Sequence, residues 1–159
     1  MAKRSKQVIP GLTAAQQQLA EDRCAALRER LTPARLTAYA EIVASGRPLS
    51  AYELIALLEA REARKIAPLT VYRHLEFLMR VGLVHRLESK QAYLACDHPE
   101  YEHESQYLLC SACGKADEID SKQLGNLLDK LLDQQGFKPV NTVVEVTGYC
   151  SDCSPGVQD

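Results

Sequence analysis

Residues 68–95 have the sequence PLTVYRHLEFLMRVGLVHRLESKQAYLA, and the spacing of the apolar residues changes within this stretch. Before Gly82 they recur at helical intervals, and Pro68 has the place of a first helical residue. After Gly82 apolar and polar residues alternate in two short runs, which a polar turn at residues 89–90 separates. The stretch therefore predicts a helix followed by a two-stranded hairpin, and the apolar stripe of the helix consists of Val71, Leu75, Leu78 and Met79.

Three more helices are predicted upstream of this stretch. Capping-box patterns at residues 13–16 and 50–53 each mark a helix start, and Thr32-Pro33 marks the start of the helix between them. The residues predicted to face inward are Ala20, Cys24, Leu27 and Leu31, then Leu36, Tyr39, Ala40 and Val43, then Leu54, Leu57 and Leu58. Helices followed by a hairpin are the order of a winged helix-turn-helix, which places one helix in the DNA major groove and the hairpin against the backbone.

The helix before the hairpin carries the candidate DNA-contacting side chains. Those predicted to lie outside its apolar stripe are Thr70, Tyr72, Arg73, Phe77 and Arg80. Arg can form a bidentate pair with guanine, while Tyr and Thr can bond to phosphates or contact a thymine methyl group. An ordinary solvated helix face would have the same composition, so it is the order of the elements that favours DNA.

The charges of the chain are distributed unevenly. Residues 1–88 carry 14 Lys and Arg against 9 Asp and Glu, and residues 89–159 carry 5 against 12, although the net charge of the whole chain is -2. The basic half could face a polyanion, and the acidic half should avoid one. Many basic faces are only solvated surfaces, so the asymmetry by itself leaves both interpretations open.

Length and composition limit the class of protein further. The chain has 159 residues, of which 46% are hydrophobic and 25% charged, a normal balance for one globular domain or two small ones. No apolar run is long enough to span a bilayer, and the basic start leads into no apolar signal core, so we expect a cytoplasmic protein. We find no set of nucleophile, base and orienting residue, and we therefore expect no enzyme.

Four of the six cysteines form two C-x-x-C pairs, Cys110 with Cys113 and Cys150 with Cys153. In a reducing cytoplasm such a cluster indicates metal or redox chemistry before disulfides. Two pairs supply four thiolates for a closed tetrahedral zinc site. The alternatives are a thioredoxin-like dithiol or plain buried cysteines, and a redox dithiol does not explain a second pair.

The 36 residues between the pairs have room for a strand, a helix and a second strand. The helix is predicted from Leu124, Leu127, Leu128 and Leu131, with Gly136 just past its end, and the second strand from Val140, Thr142, Val144 and Val146. The two pairs can meet only after this unit folds, so metal binding would stabilise the fold.

A second set of metal donors lies near the junction of the two halves: His85, Cys96, His103 and Glu118. Imidazole, thiolate and carboxylate all suit zinc. Each residue alone also has an ordinary explanation, as a half-buried histidine, a small buried cysteine or a surface side chain, and spacing does not decide between the two.

Several motifs in this order resemble the ferric uptake regulator family, and within it the zinc uptake regulator branch. They are Leu31-Thr32-Pro33-Ala34-Arg35-Leu36, Thr70-Val71-Tyr72-Arg73, Gly82-Leu83-Val84-His85-Arg86, Tyr93-Leu94-Ala95-Cys96 and the two C-x-x-C pairs. The resemblance covers roughly residues 13–153. It implies an α+β protein with an N-terminal winged helix-turn-helix and a small C-terminal α/β dimerisation domain that contains structural zinc.

The resemblance also implies domain boundaries and residue roles. The expected DNA-binding domain is 1–88, with 1–12 flexible, followed by a hinge at 89–96 and a metal-binding dimerisation domain at 97–159, with 154–159 as a flexible tail. Two zinc ions per subunit are implied, a structural one at Cys110, Cys113, Cys150 and Cys153 and a regulatory one at His85, Cys96, His103 and Glu118. The implied DNA-binding residues are Tyr52, Thr70, Tyr72 and Arg73.

The function implied by the resemblance is zinc-responsive repression, in which a homodimer binds palindromic operators of zinc uptake genes with zinc as corepressor. The His-rich segment typical of iron-sensing members is absent here, which favours zinc and leaves His98 without a role. The remaining alternatives are an iron-, manganese- or peroxide-responsive regulator of the same family, a dithiol oxidoreductase, and a zinc-binding adaptor without a DNA role.

Overall fold

The computed structural model describes residues 9–101, 105–119, 121–140 and 142–154 and divides the chain into two units, Met1–Tyr101 and Glu102–Asp159. Within its described residues the first unit contains the helices α1 (Ala14–Ala26), α2 (Pro33–Ser45), α3 (Ala51–Glu62) and α4 (Pro68–Arg80) and the strands β1 (Leu49–Ser50), β2 (Val84–Leu87) and β3 (Ala92–Ala95). The second contains β4 (Ser105–Cys110), β5 (Ala116–Ile119), α5 (Lys122–Gln134) and β6 (Val143–Gly148). The predicted α+β class with a winged helix is confirmed.

Side-chain caps fix the start of the three helices for which the sequence predicts them. The Thr13 hydroxyl accepts a bond from the Gln16 backbone N–H at 3.2 Å, and the Gln16 side chain accepts one from the Thr13 N–H in return. Ser50 and Glu53 form the same reciprocal box at the start of α3. The Thr32 hydroxyl caps α2. These bonds satisfy backbone donors that would otherwise lack helical partners.

The core of the first unit combines all four helices with the hairpin. Val71, Leu75 and Leu78 of α4 are at most 1% exposed, which confirms most of the predicted stripe of this helix. Other parts of the prediction were wrong. Helix α1 ends at Ala26, so Leu27 is 39% exposed, and Leu57 of α3 is 38% exposed.

Phe77 of α4 was predicted to be exposed, and it is buried, with only 1% of its surface exposed. The guanidinium of Arg35 from α2 covers its ring. An aromatic ring can turn its face to a cation as well as to apolar neighbours, so the stripe rule underestimated the buried width of this helix.

The sheet of the first unit has the order β1-β3-β2, and both pairs of strands are antiparallel. The short strand β1, which the sequence did not predict, pairs Leu49 with Tyr93. Strand β3 therefore lies at the centre of this sheet, whereas the implied domain boundaries assigned residues 89–96 to a hinge. Its ladder bonds on both sides tie this segment to the first unit, which continues to Tyr101.

Residues 9–12 were expected to be flexible, and the structure shows them bonded to the first unit. The Ile9 N–H donates to the Gln17 side chain at 2.9 Å, Arg61 donates to the Pro10 carbonyl oxygen at 2.7 Å, and Leu12 is buried. Residues 1–8, and 155–159 of the expected C-terminal tail, lie outside the described residues.

The sheet of the second unit has the order β5-β4-β6, in which β5 pairs with β4 antiparallel and β6 pairs with β4 in parallel. Helix α5 confirms the helix predicted between the cysteine pairs, but none of its residues is buried. The strand after it begins at Val143, later than predicted, and Val140 is fully exposed. Strand β4, before the first cysteine pair, was not predicted.

Candidate metal centre and nucleic-acid interface

The parallel pairing of β4 with β6 brings the two cysteine pairs together. Cys110 is the last residue of β4 and pairs with Gly148, the last residue of β6, so each pair begins at the same end of the sheet. Tight turns follow, with Gly114 N–H bonded to Cys110 O and Cys153 N–H bonded to Cys150 O, each at 3.0 Å. Gly114 has a φ of +75°, in the left-handed region that glycine occupies without strain.

The four sulfur atoms of Cys110, Cys113, Cys150 and Cys153 all lie within 4.8 Å of one another. The Sγ atoms of Cys113 and Cys150 are 3.8 Å apart, and none of the four cysteines is in a disulfide. A tetrahedral zinc ion with Zn–S bonds of about 2.3 Å holds its sulfurs about 3.8 Å apart. The predicted cluster is therefore assembled at a spacing that fits one zinc ion.

Hydrogen bonds move the acidity of two of these thiols in opposite directions. The backbone N–H groups of Cys113 and Cys150 lower the pKa of the Cys110 thiol to about 6, because they stabilise the thiolate. Bonds from the Cys153 thiol to the neighbouring sulfurs of Cys150 and Cys113 raise the pKa of Cys153 to about 12. Four negative charges at this spacing repel one another, so full ionisation of the cluster requires a bound cation.

Two of the four predicted regulatory ligands, His85 and Cys96, meet in the first unit. His85 of β2 pairs with Leu94 of β3, and Cys96 follows two residues after Leu94 on the same face. The Cys96 N–H continues the ladder by bonding to Leu83 O at 3.0 Å. The donor atoms of His85 and Cys96 lie within 4.8 Å of each other, and Cys96 is buried.

Glu118, the third predicted ligand, belongs to β5 in the second unit, and His103 lies outside the described residues. Tyr107 of β4 lies directly opposite Glu118, is fully buried, and donates its hydroxyl proton to the Glu118 carboxylate at 3.4 Å. A hydroxyl that is hydrogen-bonded to one oxygen of a carboxylate restricts rotation of that carboxylate and so orients its second oxygen. No pattern in the sequence identifies Tyr107, and only the register of the two strands associates it with Glu118.

All four predicted DNA-binding residues are exposed in the first unit. Tyr52, in the first turn of α3, is 76% exposed, and Thr70, Tyr72 and Arg73 are exposed on α4. Pro68 is the first residue of α4 and Ala67 provides no side-chain cap, so the start of this helix projects without a polar cap. The exposed side of α4 is available to a groove of DNA.

A cleft of about 370 Å³ lies between α3, α4 and the hairpin. Tyr52 and Tyr72 line it, together with Arg86, Lys90 and Tyr93 from the hairpin side, whereas Thr70 and Arg73 do not. Arg86 and Lys90 are cations that the sequence analysis did not select. The alternation of apolar and polar residues in the hairpin does not show that Arg86 and Lys90 line the same cleft as Tyr52.

Comparison with known proteins identifies the family. The model of the ferric uptake regulator family matches residues 27–147. The zinc uptake regulation protein of Escherichia coli (strain K12) is 35% identical over 137 residues, which cover 84% of this chain and 78% of that protein. The chain therefore belongs to the ferric uptake regulator family. Within that family it falls in the zinc uptake regulator branch.

Solved structures support the same assignment. A zinc uptake regulator complexed with zinc and DNA matches with a TM-score of 0.82 and 33% identity, covering 89% of this chain and 95% of that one. Holo XcZur matches with a TM-score of 0.82 and 36% identity, covering 91% of this chain and 100% of that one.

Among the described residues of the present chain, every helix is too short or too polar to cross a bilayer.

Proposed function

We propose that the protein is a zinc-responsive transcriptional repressor that binds palindromic operators of zinc uptake genes as a homodimer, with zinc as corepressor. The observation that carries this proposal is the similarity, over most of both chains, to the zinc uptake regulator complexed with zinc and DNA. The exposed side chains of α4 can contact DNA, and His85 and Cys96 provide neighbouring donors for a regulatory metal ion.

We assign a structural zinc ion to Cys110, Cys113, Cys150 and Cys153 and a regulatory one to His85, Cys96, His103 and Glu118. The structural assignment is supported by the sulfur spacing. The regulatory assignment is supported by the proximity of His85 to Cys96 and, for His103 and Glu118, by the family resemblance. Bound zinc would supply a cation that cross-links these donors, and it needs no redox chemistry.

The regulatory residues derive from different parts of the chain, and this suggests how occupancy would control DNA binding. His85 belongs to β2 and Cys96 follows β3, so both are rigidly attached to the sheet behind α4. Ligation that also engages His103 and Glu118 would restrict the segment that joins the units. In a dimer this restriction would fix the separation of two α4 helices, which must match half-sites about one DNA turn, or a multiple of it, apart. A coupling of ~1–3 kcal/mol would tighten DNA binding about 5- to 150-fold.

The homodimer is supported by the exposed apolar face of the second unit. Leu127 and Leu131 of α5 are 55% and 50% exposed, and Phe137, just after the helix, is 60% exposed. A helix with this composition and no buried residue needs a partner surface, because leaving it in water forfeits the hydrophobic free energy. A second copy of the same unit would cover it symmetrically.

The proposal assigns no enzymatic activity to the chain and places it in the cytoplasm. A thiolate cluster that holds zinc persists in a reducing compartment, where disulfides are not favoured. None of the four cysteines that form the cluster is in a disulfide.

The test is DNA binding by fluorescence anisotropy across a buffered free-zinc series, with promoter fragments of zinc uptake genes and with iron and manganese in parallel. Tight DNA binding that appears only with zinc supports the proposal. The affinity for DNA should fall steeply as the salt concentration rises. Arg73→Ala should weaken DNA binding. Arg80→Ala is the matched control, because Arg80 lies at the other end of α4 and is paired with Glu29, and it should bind as the wild type does. Binding that responds only to another metal would assign the chain to a different branch, and a folded, zinc-loaded dimer that binds no DNA would favour an adaptor.

A further inference from the structure

One continuous face of α4 takes no part in the core of the first unit. Tyr72 and Arg73 lie three and four residues after Leu69, and Glu76 lies four and three residues after them, so all four share one side of the helix, and all are exposed. The buried side of the helix is formed by Val71, Leu75 and Leu78. Since that side already attaches the helix to the unit, the exposed face is free to serve another purpose.

Leu69 is the most prominent apolar side chain on this face, with 61% of its surface exposed. It is the second residue of α4, and helical side chains lean towards the N-terminus of their helix, so Leu69 covers the tip of α4. The residues before it, Ala67 and Pro68, have no polar side chain, so the surface next to Leu69 on that side is hydrocarbon. A ligand that buries Leu69 must therefore offer an apolar group.

We propose that Leu69 is a specificity-determining residue that contacts the C5-methyl group of a thymine in each operator half-site. This inference rests on the proposed function, in which α4 enters the major groove. N-terminal residues of a recognition helix are the ones that reach base edges, and thymine is the only base that displays a methyl group in the major groove. The exposed Leu69 becomes buried only in that complex.

The spacing of Leu69 and Arg73 restricts where the thymine lies. Residues four apart on a helix have Cβ atoms about 6 Å apart, and stacked base pairs are about 3.4 Å apart. If Arg73 binds a guanine, the thymine contacted by Leu69 lies within about two base pairs of it. A half-site without a thymine at that distance from the guanine would not use this contact.

The experiment starts by selecting operator DNA from a random duplex library with the full-length, zinc-loaded protein at buffered free zinc. Each thymine of the selected site is then replaced singly by deoxyuracil, which removes only the methyl group. For the wild type we expect one position per half-site at which this replacement weakens binding about fourfold, the value of one buried methyl or methylene group. For Leu69→Ala, the methyl and uracil duplexes should bind equally at that position.

Leu27→Ala is the matched control, because Leu27 is also a partly exposed leucine but lies at the end of α1. It should keep the wild-type response to deoxyuracil. A deoxyuracil response in Leu69→Ala at every position where the wild type responds, or a wild type that tolerates deoxyuracil at every position of a tightly bound site, would overturn the assignment of Leu69. Failure to enrich any DNA with zinc would overturn the proposed function itself.

Discussion

The guanidinium carbon of Arg35 lies 3.7 Å from the centre of the Phe77 ring. Arg80 approaches the same ring at 5.4 Å. The Arg35 side chain also donates to the Arg30 carbonyl oxygen at 2.7 Å, so it connects the start of α2 to α4 and to the loop before α2. Cation–π contacts contribute ~0.5–2 kcal/mol, more when the cation is partly desolvated.

The first prediction concerns this contact. Phe77→Leu should lower the free energy of unfolding by about 1–3 kcal/mol, because it removes a buried ring and leaves space behind. Arg35→Ala, combined with Phe77→Leu in a double-mutant cycle, should give a coupling of ~0.5–1 kcal/mol in urea unfolding. The same cycle with Arg80→Ala should give a smaller value, because Arg80 is farther from the ring. Equal couplings would contradict the assignment of Arg35 as the main partner.

The second prediction concerns the two capping boxes, whose contributions to the free energy of unfolding should depend differently on pH. Backbone and side-chain bonds from Ser50, with Arg47, lower the pKa of the Glu53 carboxyl from 4.5 to about 2. Because the folded pKa lies below the ordinary value, this stabilisation is complete above about pH 4.5 and is lost as the pH falls towards 2. Ser50→Ala should therefore cost about 1 kcal/mol at pH 7 and less at pH 3.

Thr13→Ala is its control. The partner of Thr13 is Gln16, which does not ionise, so the cost of this change should be about 1 kcal/mol at both pH values. Urea unfolding of each variant against the wild type at the same pH measures both costs. A Ser50→Ala penalty that stays constant down to pH 3 would show that the Ser50 hydroxyl does not contribute to the lowered pKa of Glu53.

The third prediction concerns the four-sulfur cluster. Cys113→Ser should release one zinc ion per chain and unfold the second unit, because the binding free energy of a structural zinc ion contributes to the free energy of folding. Zinc content by mass spectrometry and circular dichroism measure the two effects. Cys24→Ser should retain the zinc, since Cys24 is buried in the core of the first unit. Full zinc content in Cys113→Ser would remove Cys113 from the ligand set.

The fourth prediction concerns regulation. Cys96→Ser and His103→Ala should each abolish zinc-dependent DNA binding and leave a folded dimer that retains its structural zinc. The physical reason is that a regulatory ligand changes the coupling between metal and DNA rather than the fold. Anisotropy against free zinc, with sedimentation as the control for assembly, distinguishes the two roles. Unfolding of both variants would make this site structural.

The fifth prediction concerns assembly. Leu131→Glu should convert the dimer into a monomer, because it places a charge in the proposed apolar interface. Since Leu131 is 50% exposed in the single chain, the change should leave the fold of the second unit intact. Lys130→Glu, an exposed neighbour on α5, is the matched control and should remain dimeric in analytical ultracentrifugation. A dimeric Leu131→Glu variant would place the interface elsewhere.

Local patterns in the sequence predicted the helices well. They could not predict features that depend on pairing between strands far apart in the sequence. The caps at Thr13 and Ser50 are formed by residues three positions apart, so the sequence contains both partners of each bond. Strand β1 has only two residues and is a strand because Leu49 pairs with Tyr93, more than forty positions later. No window of sequence contains that pairing, and β1 was therefore missed.

The candidate sites show the same limit. The C-x-x-C pairs could be recognised because two ligands of each pair are neighbours in the chain, and the structure brings both pairs to one cluster. Tyr107, by contrast, is an ordinary buried strand residue until the register with β5 places it opposite Glu118. The prediction of an exposed Phe77 failed for a similar reason, because its covering side chain, Arg35, comes from another helix.

The parallel pairing of β4 with β6 also determines the order of events while the chain is being synthesised. Cys110 and Cys113 leave the ribosome first, and their partners follow only after the crossover through β5 and α5 has been translated. During that interval the first two thiols form an open, two-sulfur site that can capture a stray soft metal or an oxidant. The four-sulfur site can therefore close only after Cys150 and Cys153 have been synthesised and β6 has paired with β4.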